Sequence, residues 1–422
     1  MKYNILVFPC GSEIALEIHR SLKYSIHVDL FGANSVDDHG KFIYENYIGN
    51  LPFFNEENFI PKLIEIVKEN KIDAIYPAMD SVITILKKNE EYLGCKIISS
   101  SYETTEICLS KLKTYRILST IIPTPLVFDN DDKNINFPVF LKPEIGYGSR
   151  GAKKVTSQED LKNHLSNYPT CIISEYLPGK EYTVDCFTDF KGKLLFVGSR
   201  ERSRISNGIS VNTSSMILED RFLELAKKIN DGLNFNGAWF FQVKERYSKE
   251  LVLMEVASRF GGSSSVYRMK GINFAALSLF NIFNIPVSII ENNYEVEMDR
   301  ALDIKFKSNL VFNHVYIDFD DVIIINDKVN IEIISFLYKM INEGKQIYLI
   351  TKHKFDINKS LISHRLEHLF DEVIHLKPDD NKWKYIKYFD SIFIDDSFSE
   401  RNEVKNNLQL PVFSPDMISL LI

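Results

Sequence analysis

The chain has 422 residues, 45% of them hydrophobic and 25% charged, and a net charge of −7. This composition is typical of a folded globular protein, and the length predicts about three domains. The acidic balance argues against nucleic-acid binding, because neutralising phosphates requires a basic face. No apolar run reaches the roughly 18 residues of a transmembrane helix, and the run Ile5–Cys10 is too short for a signal peptide. Five cysteines without paired spacing favour a reducing compartment, so we expect a cytoplasmic protein that binds no membrane.

Residues 1–100 alternate between strand and helix patterns. The predicted strands and helices are Asn4–Phe8, Glu13–Leu22, Ser25–Phe31, Asn58–Glu69 and Ile72–Pro77 in chain order. This alternation predicts a Rossmann-like parallel sheet covered on both faces. The turn Cys10–Ser12 and Asp80 each follow a strand, at the edge where parallel sheets bind ligands. Asp80 could instead cap a helix over Ser81–Lys87, and the sequence leaves both interpretations open.

Residues 101–305 show a different pattern, in which several strands follow one another. The predicted elements are a helix over Glu106–Ser119, strands over Phe137–Lys142 and Ala152–Val155, a helix over Ser157–Leu165, and strands over Cys171–Glu175, Tyr182–Phe187, Leu194–Ser199, Ala238–Lys244 and Leu251–Glu255. Consecutive strands indicate an antiparallel sheet and an α+β unit. The charged stretch Glu291–Lys307 is interpreted as a linker with a peripheral strand.

A glycine-rich loop joins two of these predicted strands. Its sequence is Gly146-Tyr147-Gly148-Ser149-Arg150-Gly151. The loop matches the dinucleotide-binding pattern, but that pattern requires a helix after the loop. A glycine loop between strands is instead typical of a lid whose backbone N–H groups close over phosphates, with Lys142 directing a positive charge at them. A glycine-rich surface hairpin without function is the alternative.

Five sequence blocks in this middle stretch carry a family resemblance. They are Ser110-Lys111-x-x-Thr114, Phe137–Pro143 with the glycine loop, Ser174-Glu175-Tyr176-Leu177-x-Gly179-x-Glu181, Gln242, and Glu255-x-x-x-Arg259-x-Gly261-Gly262-Ser263. Together they resemble the ATP-grasp superfamily of carboxylate–amine ligases, in the branch similar to carbamoyl phosphate synthetase. The resemblance implies an ATP-grasp fold over residues 101–305, with a lid over about 125–178, behind a pre-ATP-grasp sheet over residues 1–100.

The resemblance also implies roles for individual residues. The ATP-binding residues would be Lys111, Lys142, Gly146, Gly148, Ser149, Gly151, Glu175, Tyr176, Leu177 and Glu181. Gln242 and Glu255 would bind Mg²⁺ through their oxygens, and Arg259 would stabilise the charge of an acyl phosphate formed from ATP and a small carboxylate, which a small amine then opens. The family usually has asparagine two positions after the metal-binding glutamate, whereas this chain has Ala257, which puts a second magnesium ion in doubt.

Three arginines follow the predicted strand Leu194–Ser199. Arg200, Arg202 and Arg204 are spaced two apart, and such residues share one face of a strand. Guanidinium groups bind carboxylates and phosphates through paired N–H donors. We therefore predict a substrate-binding role for the three arginines, with a solvated charge run as the alternative.

From Val315 onward the chain again alternates between strand and helix. The predicted elements are Val315–Asp318, Ile331–Asn342, Gln346–Ile350, Ser360–Leu369 and Ser391–Ile394, which indicate a second doubly wound parallel sheet over 310–422. Acidic residues end two of its strands, in Val315-Tyr316-Ile317-Asp318-Phe319-Asp320-Asp321 and in Ile392-Phe393-Ile394-Asp395-Asp396. Clustered carboxylates repel one another unless a cation such as Mg²⁺ compensates them.

This set resembles the haloacid dehalogenase (HAD) superfamily, most of whose members are magnesium-dependent phosphatases. The resemblance implies Asp318 as the nucleophile, Asp320 as the general acid–base, Thr351 and Lys382 as phosphate-binding residues, and Asp318, Asp320 and Asp395, with Asp396 as a further candidate, as metal ligands. Lys377 is a rival for the lysine role. The 33 residues from Asp318 to Thr351 and the 31 from there to Lys382 leave no room for an inserted cap domain.

The sequence therefore predicts a bifunctional enzyme, an ATP- and magnesium-dependent carboxylate–amine ligase fused to a capless HAD-like phosphatase. The alternative is a nucleotide-binding regulatory protein with one or both sites degraded. A kinase that forms ADP without needing an amine is a third option. A homodimer is left open, since no pattern addresses the oligomeric state.

Overall fold

The computed structural model describes residues 2–421 other than 130, 131, 133, 134, 147–150, 207, 302 and 303. Over these residues the strands form four sheets and one separate hairpin. No described helix is long and apolar enough to cross a bilayer.

The first unit is a parallel sheet with helices on both faces. Its elements are β1 (Tyr3–Phe8), α1 (Glu13–Leu22), β2 (Val28–Ala33), α2 (Gly40–Ile43), β3 (Asn46–Ile48), α3 (Phe59–Glu69), β4 (Ala74–Pro77), α4 (Asp80–Lys88), α5 (Glu90–Leu93) and β5 (Lys96–Ile97). Alternate residues of β1 enter two different apolar clusters, Ile5 and Val7 one, Leu6 and Phe8 the other, because successive side chains of a strand point to opposite faces. The strand order is β3-β2-β1-β4-β5. The chain therefore builds the sheet outward from β1 first on one side and then, from β4, on the other, and such sheets bind ligands at the crevice between these two central strands.

The second unit contains a small and a large antiparallel sheet. Its elements are α6 (Tyr102–Leu109), α7 (Lys111–Leu118), β6 (Val127–Phe128), β7 (Val139–Pro143), β8 (Lys153–Val155), α8 (Gln158–Asn167), β9 (Cys171–Glu175), β10 (Glu181–Thr188), β11 (Leu194–Ser206), β12 (Ile209–Ser215), α9 (Asp220–Gly232), β13 (Gly237–Glu245), β14 (Leu251–Ala257), α10 (Ser265–Arg268), α11 (Phe274–Ile282), β15 (Val296–Arg300) and β16 (Ile304–Ser308). The small sheet has the order β6-β9-β7-β8, and the large one β14-β13-β10-β11-β12-β15-β16.

The two faces of the large sheet have opposite character. One face packs apolar side chains such as Val184 and Phe241 against α7 and α9. The other face carries polar side chains from β10, β13 and β14, namely Glu181, Thr183, Gln242, Lys244 and Glu255, which the strand register places side by side. This alternation follows from the two-residue period of a strand, and it leaves the polar face free to form a site.

The third unit repeats the parallel topology of the first. Its elements are β17 (His314–Ile317), β18 (Ile324–Ile325), β19 (Lys328–Val329), α12 (Ile331–Asn342), β20 (Gln346–Thr351), α13 (Ile357–Ser363), β21 (Glu372–His375), β22 (Ser391–Ile394), α14 (Phe398–Leu408) and β23 (Val412–Phe413), with 3₁₀ helices at Lys382–Tyr385 and Pro415–Leu420. The order β21-β20-β17-β22-β23 again reverses beside the first strand, between β17 and β22. Between residues 317 and 391, all of them described, the β18–β19 hairpin is the one set of strands outside the five-stranded sheet, so this stretch holds no inserted cap domain.

The third unit shares its apolar core with the second. Met269 and Met298 belong to the same buried cluster as Phe336 and Ile418. The stretch expected to be a linker with one peripheral strand forms two strands, β15 and β16, at the edge of the large sheet, because Val296 and Met298 alternate with Glu297 and Asp299. Residues of the two units are therefore fixed relative to each other by a continuous core.

A buried charge network also joins all three units. The guanidinium of Arg268 donates to Glu17 Oε1 of the first unit at 2.7 Å and to the backbone carbonyl of Asp416 in the third unit at 2.6 Å. The three side chains are almost completely buried. Because the charges have little access to water, each depends on its partners.

Several predicted elements differ from the observed ones. The single helix expected over 106–119 is two helices, since the hydroxyl of Ser110 accepts the N–H of Lys113 and starts α7 as an N-cap. The strand expected to end at Ser199 continues to Ser206, so the arginine set lies within β11. The helix α14 and the strand β12 were not predicted, because their polar composition resembles that of loops. The helix α9 was also not predicted, although its buried Phe222, Ala226 and Ile229 recur at helical spacing.

Candidate functional sites

Lys142 projects from β7 toward the polar face of the large sheet. Its ammonium donates to the hydroxyl of Tyr115 at 2.5 Å and to the carbonyl of Met254 at 3.1 Å. Burial lowers the pKa of Lys142 to about 7, and the charge of Lys111 acts in the same direction against the opposing effect of Glu255. The small sheet thus brings Lys142 close enough to Glu255 and Glu181 of the large sheet for their charges to act on it.

Lys111 begins α7 and reaches the base of the glycine loop. Its ammonium lies 3.4 Å from the carbonyl of Glu144 and 3.3 Å from that of Gly146. At the other end of the loop, Gly151 has a φ of +73°, and a Cβ there would lie 2.9 Å from the Tyr168 ring, so both conformation and space require glycine. The predicted loop residues Gly148 and Ser149 lie outside the described residues.

The connection from the small sheet to the large one contains the predicted adenine segment. The carboxylate of Glu175 accepts from Arg246 at 2.6 and 2.8 Å, a paired geometry that fixes the end of β9 against the large sheet. A Cβ on Gly179 would lie 2.5 Å from Glu245. Tyr176 packs under the ammonium of Lys154, and Leu177 is buried. The side chain of Glu175 therefore anchors this segment, which leaves only its backbone for a ligand.

The predicted metal ligands face each other across two strands. Gln242 on β13 pairs with Glu255 on β14 and with Thr183 on β10. Lys244, two residues beyond Gln242, lies 3.7 Å from the carboxylate of Glu181. Lys244 was not predicted, although the two-residue period of the strand would have placed it on this face.

The three arginines of β11 have three different surroundings. Arg200 is buried and donates to Asp185 at 2.6 Å and to Ser263 at 2.8 Å. Arg202 pairs with Thr213 and Arg204 with Asn212 across a β-bulge, and because these partners are consecutive residues, Arg202 and Arg204 point to opposite faces. The prediction of one shared face is therefore wrong. Arg204 is exposed and bound to Asp299 at 2.5 Å.

Arg202 lies among the predicted ATP and metal residues. One of its terminal nitrogens donates to Glu181 at 2.5 Å and to Gln242 at 2.7 Å, and the other donates to the carbonyl of Gly208 at 2.8 Å. The ion pair with Glu181 leaves the Arg202 side chain 7% exposed. The guanidinium thus occupies the space between the predicted ribose-binding and metal-binding residues.

Arg259 connects the large sheet to the first unit. It donates to Asp80 at 2.6 Å and lies over the ring of Phe240. Asp80 is the first residue of α4, whose N-cap is Met79, so the side chain of Asp80 binds the arginine instead of capping the helix. Because Asp80 follows β4 at the point where the strand order reverses, the first unit contributes directly to this site.

One further arginine of this region was not predicted. The buried Arg300 of β15 donates to the carbonyl of Gly262 at 2.9 Å and lies 3.4 Å from the carboxylate of Glu13. Its stretch is interpreted from the sequence as a linker with a peripheral strand, which assigns no role to this residue.

The acidic residues of the third unit meet at the carboxyl edge of its sheet. The ammonium of Lys382 lies 2.8 Å from Asp318 and 2.6 Å from Asp395. Burial opposes the charge of Lys382, but the two carboxylates outweigh it and raise its pKa. Lys377 is exposed, so Lys382 is the lysine at this site. Thr351 ends the neighbouring strand β20 and is fully buried.

Three carboxylates of this edge could hold one metal ion. Oxygens of Asp318, Asp395 and Asp396 lie within 4.8 Å of one another. Burial raises the pKa of Asp396 to about 6, with a further contribution from Asp318. Lys382 and the partly buried Arg401, which donates to the backbone carbonyls of Asp395 and Asp396, bring two positive charges to three carboxylates, and an oxygen-rich set of this kind suits Mg²⁺. The residues therefore fit the ion that the resemblance implies.

Asp320 stands at the rim of the same edge with a partner that was not predicted. His353 Nδ1 lies 2.9 Å from the Asp320 carboxylate, and its Nε2 lies 2.8 Å from the hydroxyl of Ser360. His353 follows Thr351, a predicted phosphate-binding residue, by two positions in the sequence. That proximity is the one sequence feature that could have suggested a role for this histidine.

Comparisons with known proteins address the first two units. Residues 167–306 match the family described as ATP-grasp in the biosynthetic pathway with Ter operon. The D-alanine–D-alanine ligase of Thermotoga petrophila is 30% identical over 110 residues, covering 24% of this chain and 36% of the relative. The D-alanine–D-alanine ligase of Francisella tularensis is 30% identical over 164 residues, covering 35% of this chain and 55% of the relative. The chain thus spans between about a third and about half of the length of these relatives.

Solved structures resemble a larger part of the chain. The biotin carboxylase domain dimer of Hydrogenobacter thermophilus 2-oxoglutarate carboxylase, in complex with MgADP and bicarbonate, has a TM-score of 0.61 at 16% identity, covering 71% of this chain and 74% of its own. The L-amino acid ligase of Bacillus licheniformis has a TM-score of 0.58 at 18% identity, covering 71% of this chain and 79% of its own. The N5-carboxyaminoimidazole ribonucleotide synthetase of Thermotoga maritima has a TM-score of 0.55 at 19% identity, covering 72% of this chain and 81% of its own. Enzymes with this fold use ATP together with Mg²⁺, and the comparisons place the chain among mixed α/β proteins that contain an ATP-grasp fold.

Proposed function

We propose that the first two units, residues 1–100 and 101–305 with the lid over about 125–178, form an ATP-dependent carboxylate–amine ligase. The observation that carries this proposal is the meeting of Lys111 and Lys142 with Glu181, Gln242 and Glu255 on the polar face of the large sheet. The ligases among the related sequences and structures support it. The substrates would be a small carboxylate and a small amine.

The chemistry follows from the positions of the charged groups. A carboxylate oxygen of the substrate attacks the γ-phosphorus of ATP, the bond to the ADP oxygen breaks, and an acyl phosphate forms. The amine then attacks the acyl carbon, loses a proton and displaces phosphate. Lys111 and Lys142 would neutralise the phosphates, and Mg²⁺ held through Glu255 would share that charge when bound.

Arg259 would stabilise the oxyanion, with Asp80 holding its guanidinium in place. A single donor of this kind is worth roughly 3–4 kcal/mol in other enzymes. The carboxylate and amine would enter between Arg259 and the strand ends of the first unit. Arg200 and Arg204 are already bound by Asp185 and Asp299, so we do not retain their predicted substrate role.

The test is the release of ADP and phosphate from ATP with a panel of carboxylates and amines. We expect both products only when an acid and an amine are present together, with formation of the amide detected by mass spectrometry. ADP formation that needs no amine would indicate a kinase. Nucleotide binding without turnover across the panel would support the regulatory alternative.

We further propose that residues 310–422 form a magnesium-dependent HAD-like phosphatase. This second function rests on the Lys382 ammonium between Asp318 and Asp395 and on the third carboxylate, Asp396, beside them. Asp318 would attack the phosphorus of a phosphate ester while Asp320 protonates the leaving alcohol oxygen, and a water molecule activated by Asp320 would then hydrolyse the aspartyl phosphate and release phosphate. Thr351 and Lys382 would hold the phosphoryl oxygens. Mg²⁺ on the three carboxylates would neutralise phosphate charge.

Phosphate release from p-nitrophenyl phosphate in the presence of Mg²⁺ tests this second function. We expect Asp318→Asn to abolish release, since an amide cannot act as the nucleophile. Asp390→Asn is the matched control, because Asp390 is exposed and binds His314 at the opposite edge of the sheet. Release that persists in Asp318→Asn, or that is equally lost in the control, would contradict the assignment.

A further inference from the structure

Arg202 occupies a position where the family resemblance places the ligands of ATP and metal. Its guanidinium bridges the carboxylate of Glu181 and the amide oxygen of Gln242. The side chain comes from β11, two strands away from Gln242, and crosses β10 to reach it. Such a bridge places one fixed positive charge inside the nucleotide site.

The residues around this bridge do not provide for two metal ions. Ala257, where the family has asparagine, offers no ligand atom and packs opposite Phe240. Gln242 is neutral, and its amide oxygen already accepts from Arg202 at 2.7 Å. Glu255 is therefore the one carboxylate of the predicted metal set. A second divalent ion would lack the ligand that asparagine provides at position 257, and it would compete with the guanidinium of Arg202 for the amide oxygen of Gln242.

Arg202 also retains a donor for a ligand. Its Nε is buried and has no hydrogen-bond partner among the described residues, and a buried donor without a partner is costly. A guanidinium binds phosphate oxygens well because its N–H groups are planar and permanently charged. The unpaired Nε would be satisfied by an acceptor of the bound nucleotide.

We propose that Arg202 takes the place of the second magnesium ion, so that the nucleotide binds with one divalent ion instead of two. The proposal rests on the ATP-binding function proposed above. The remaining ion is bound by Glu255 and the phosphates, and Arg202 supplies the charge that a second ion provides elsewhere. Loss of the asparagine at position 257 and the presence of the arginine then compensate for each other.

Counting Mn²⁺ ions in the nucleotide complex tests this proposal without any turnover. The full chain is titrated with Mn²⁺ in the absence and in the presence of a non-hydrolysable ATP analogue, and free Mn²⁺ is measured by electron paramagnetic resonance. The difference between the two titrations removes any ion held by the carboxylates of the third unit, and we expect one nucleotide-dependent Mn²⁺ per chain in the wild type. Arg202→Ala should weaken binding of the analogue by at least tenfold. Arg204→Ala, the same change on the opposite face, should leave the ion count and the affinity unchanged.

The double variant Arg202→Ala with Ala257→Asn should bind two nucleotide-dependent Mn²⁺ per chain. Two nucleotide-dependent Mn²⁺ in the wild type, or unchanged nucleotide affinity in Arg202→Ala, would overturn the proposal. The wild-type count decides this even if a variant fails to fold. Absence of nucleotide binding in the folded wild type would instead overturn the proposed ligase function, so the two failures are distinguishable.

Discussion

Lys142 should take up a proton when ATP binds. In the free protein its pKa is lowered to about 7, first by burial and then by the charge of Lys111. Lys244 acts in the same direction, whereas Glu255 and Glu181 oppose both. The phosphates of ATP bring negative charge to this ammonium and should raise its pKa by at least two units. Protonation of Lys142 and nucleotide binding are then linked.

The size of the proton uptake follows from the two pKa values. With a pKa of about 7 before binding and about 9 or more afterwards, uptake should be about 0.1 proton at pH 6, about 0.5 at pH 7 and about 0.8 at pH 8. Because the free ammonium loses its proton as the pH rises through 7, the affinity should fall up to tenfold per pH unit above that value. A tenfold change in affinity corresponds to about 1.4 kcal/mol of binding free energy.

Isothermal titration calorimetry of a magnesium-bound, non-hydrolysable ATP analogue measures this uptake. The binding heat is compared at each pH in buffers of different ionisation enthalpy, and the slope gives the protons taken up. Lys142→Arg is the matched control, since a guanidinium stays charged over this range and should remove the uptake. Uptake below about 0.2 proton at pH 8 in the wild type, or equal uptake in the control, would refute the reasoning.

The other predictions concern the remaining charged groups. Arg259→Ala should lower ligase turnover by about 100-fold or more while the Kd for ATP changes little, and equal losses in both would contradict its role. Arg268→Ala should lower the free energy of unfolding by about 3–5 kcal/mol, because it removes the buried cation that lies between the carboxylates of Glu17 and Asp416; urea denaturation measures this. Lys382→Met should lower the Tm measured without Mg²⁺, because the carboxylates of Asp318 and Asp395 lose their cation. Saturating Mg²⁺ should raise the Tm of the variant by more than it raises the Tm of the wild type, as measured by differential scanning calorimetry.

The charge network around Arg268 bears on how the proposed activities are combined. The third unit shares an apolar core with the second, an ion pair with it through Asp416 and Arg268, and an ion pair with the first through Glu332 and Lys23. Its sheet is therefore not a module attached by a free linker. A phosphatase site fixed relative to a ligase site suits two reactions whose substrates are chemically related, such as removal of phosphate from an acid or amine before or after its ligation.

Local patterns made several elements predictable. The helices Glu13–Leu22 and Ile331–Asn342 and the strands Cys171–Glu175 and Ser391–Ile394 have the predicted bounds. In each case apolar periodicity and a clear boundary residue coincide, as with Ser12 and Asn330, whose side chains cap the two helices. Where polar residues dominate, as in α14, periodicity gave no signal.

The sequence by itself determined the residue types at the strand ends and on the polar face of the large sheet. Lys142 before the glycine loop and Asp318 and Asp395 after apolar runs follow from strand patterns and from the common edge of parallel strands. These are local regularities, so a linear reading finds them, whereas Lys111, Gln242 and Glu255 were identified through the family resemblance.

Only the tertiary structure decided which charges are paired. Asp80 and Arg259 are 179 residues apart, and one β-bulge sends Arg204 to the opposite face from Arg202. The partners of a side chain depend on sheet register and on how the units pack, which involve residues distant in the chain. For that reason Arg202, one of the three arginines expected to bind substrate, is found between Glu181 and Gln242.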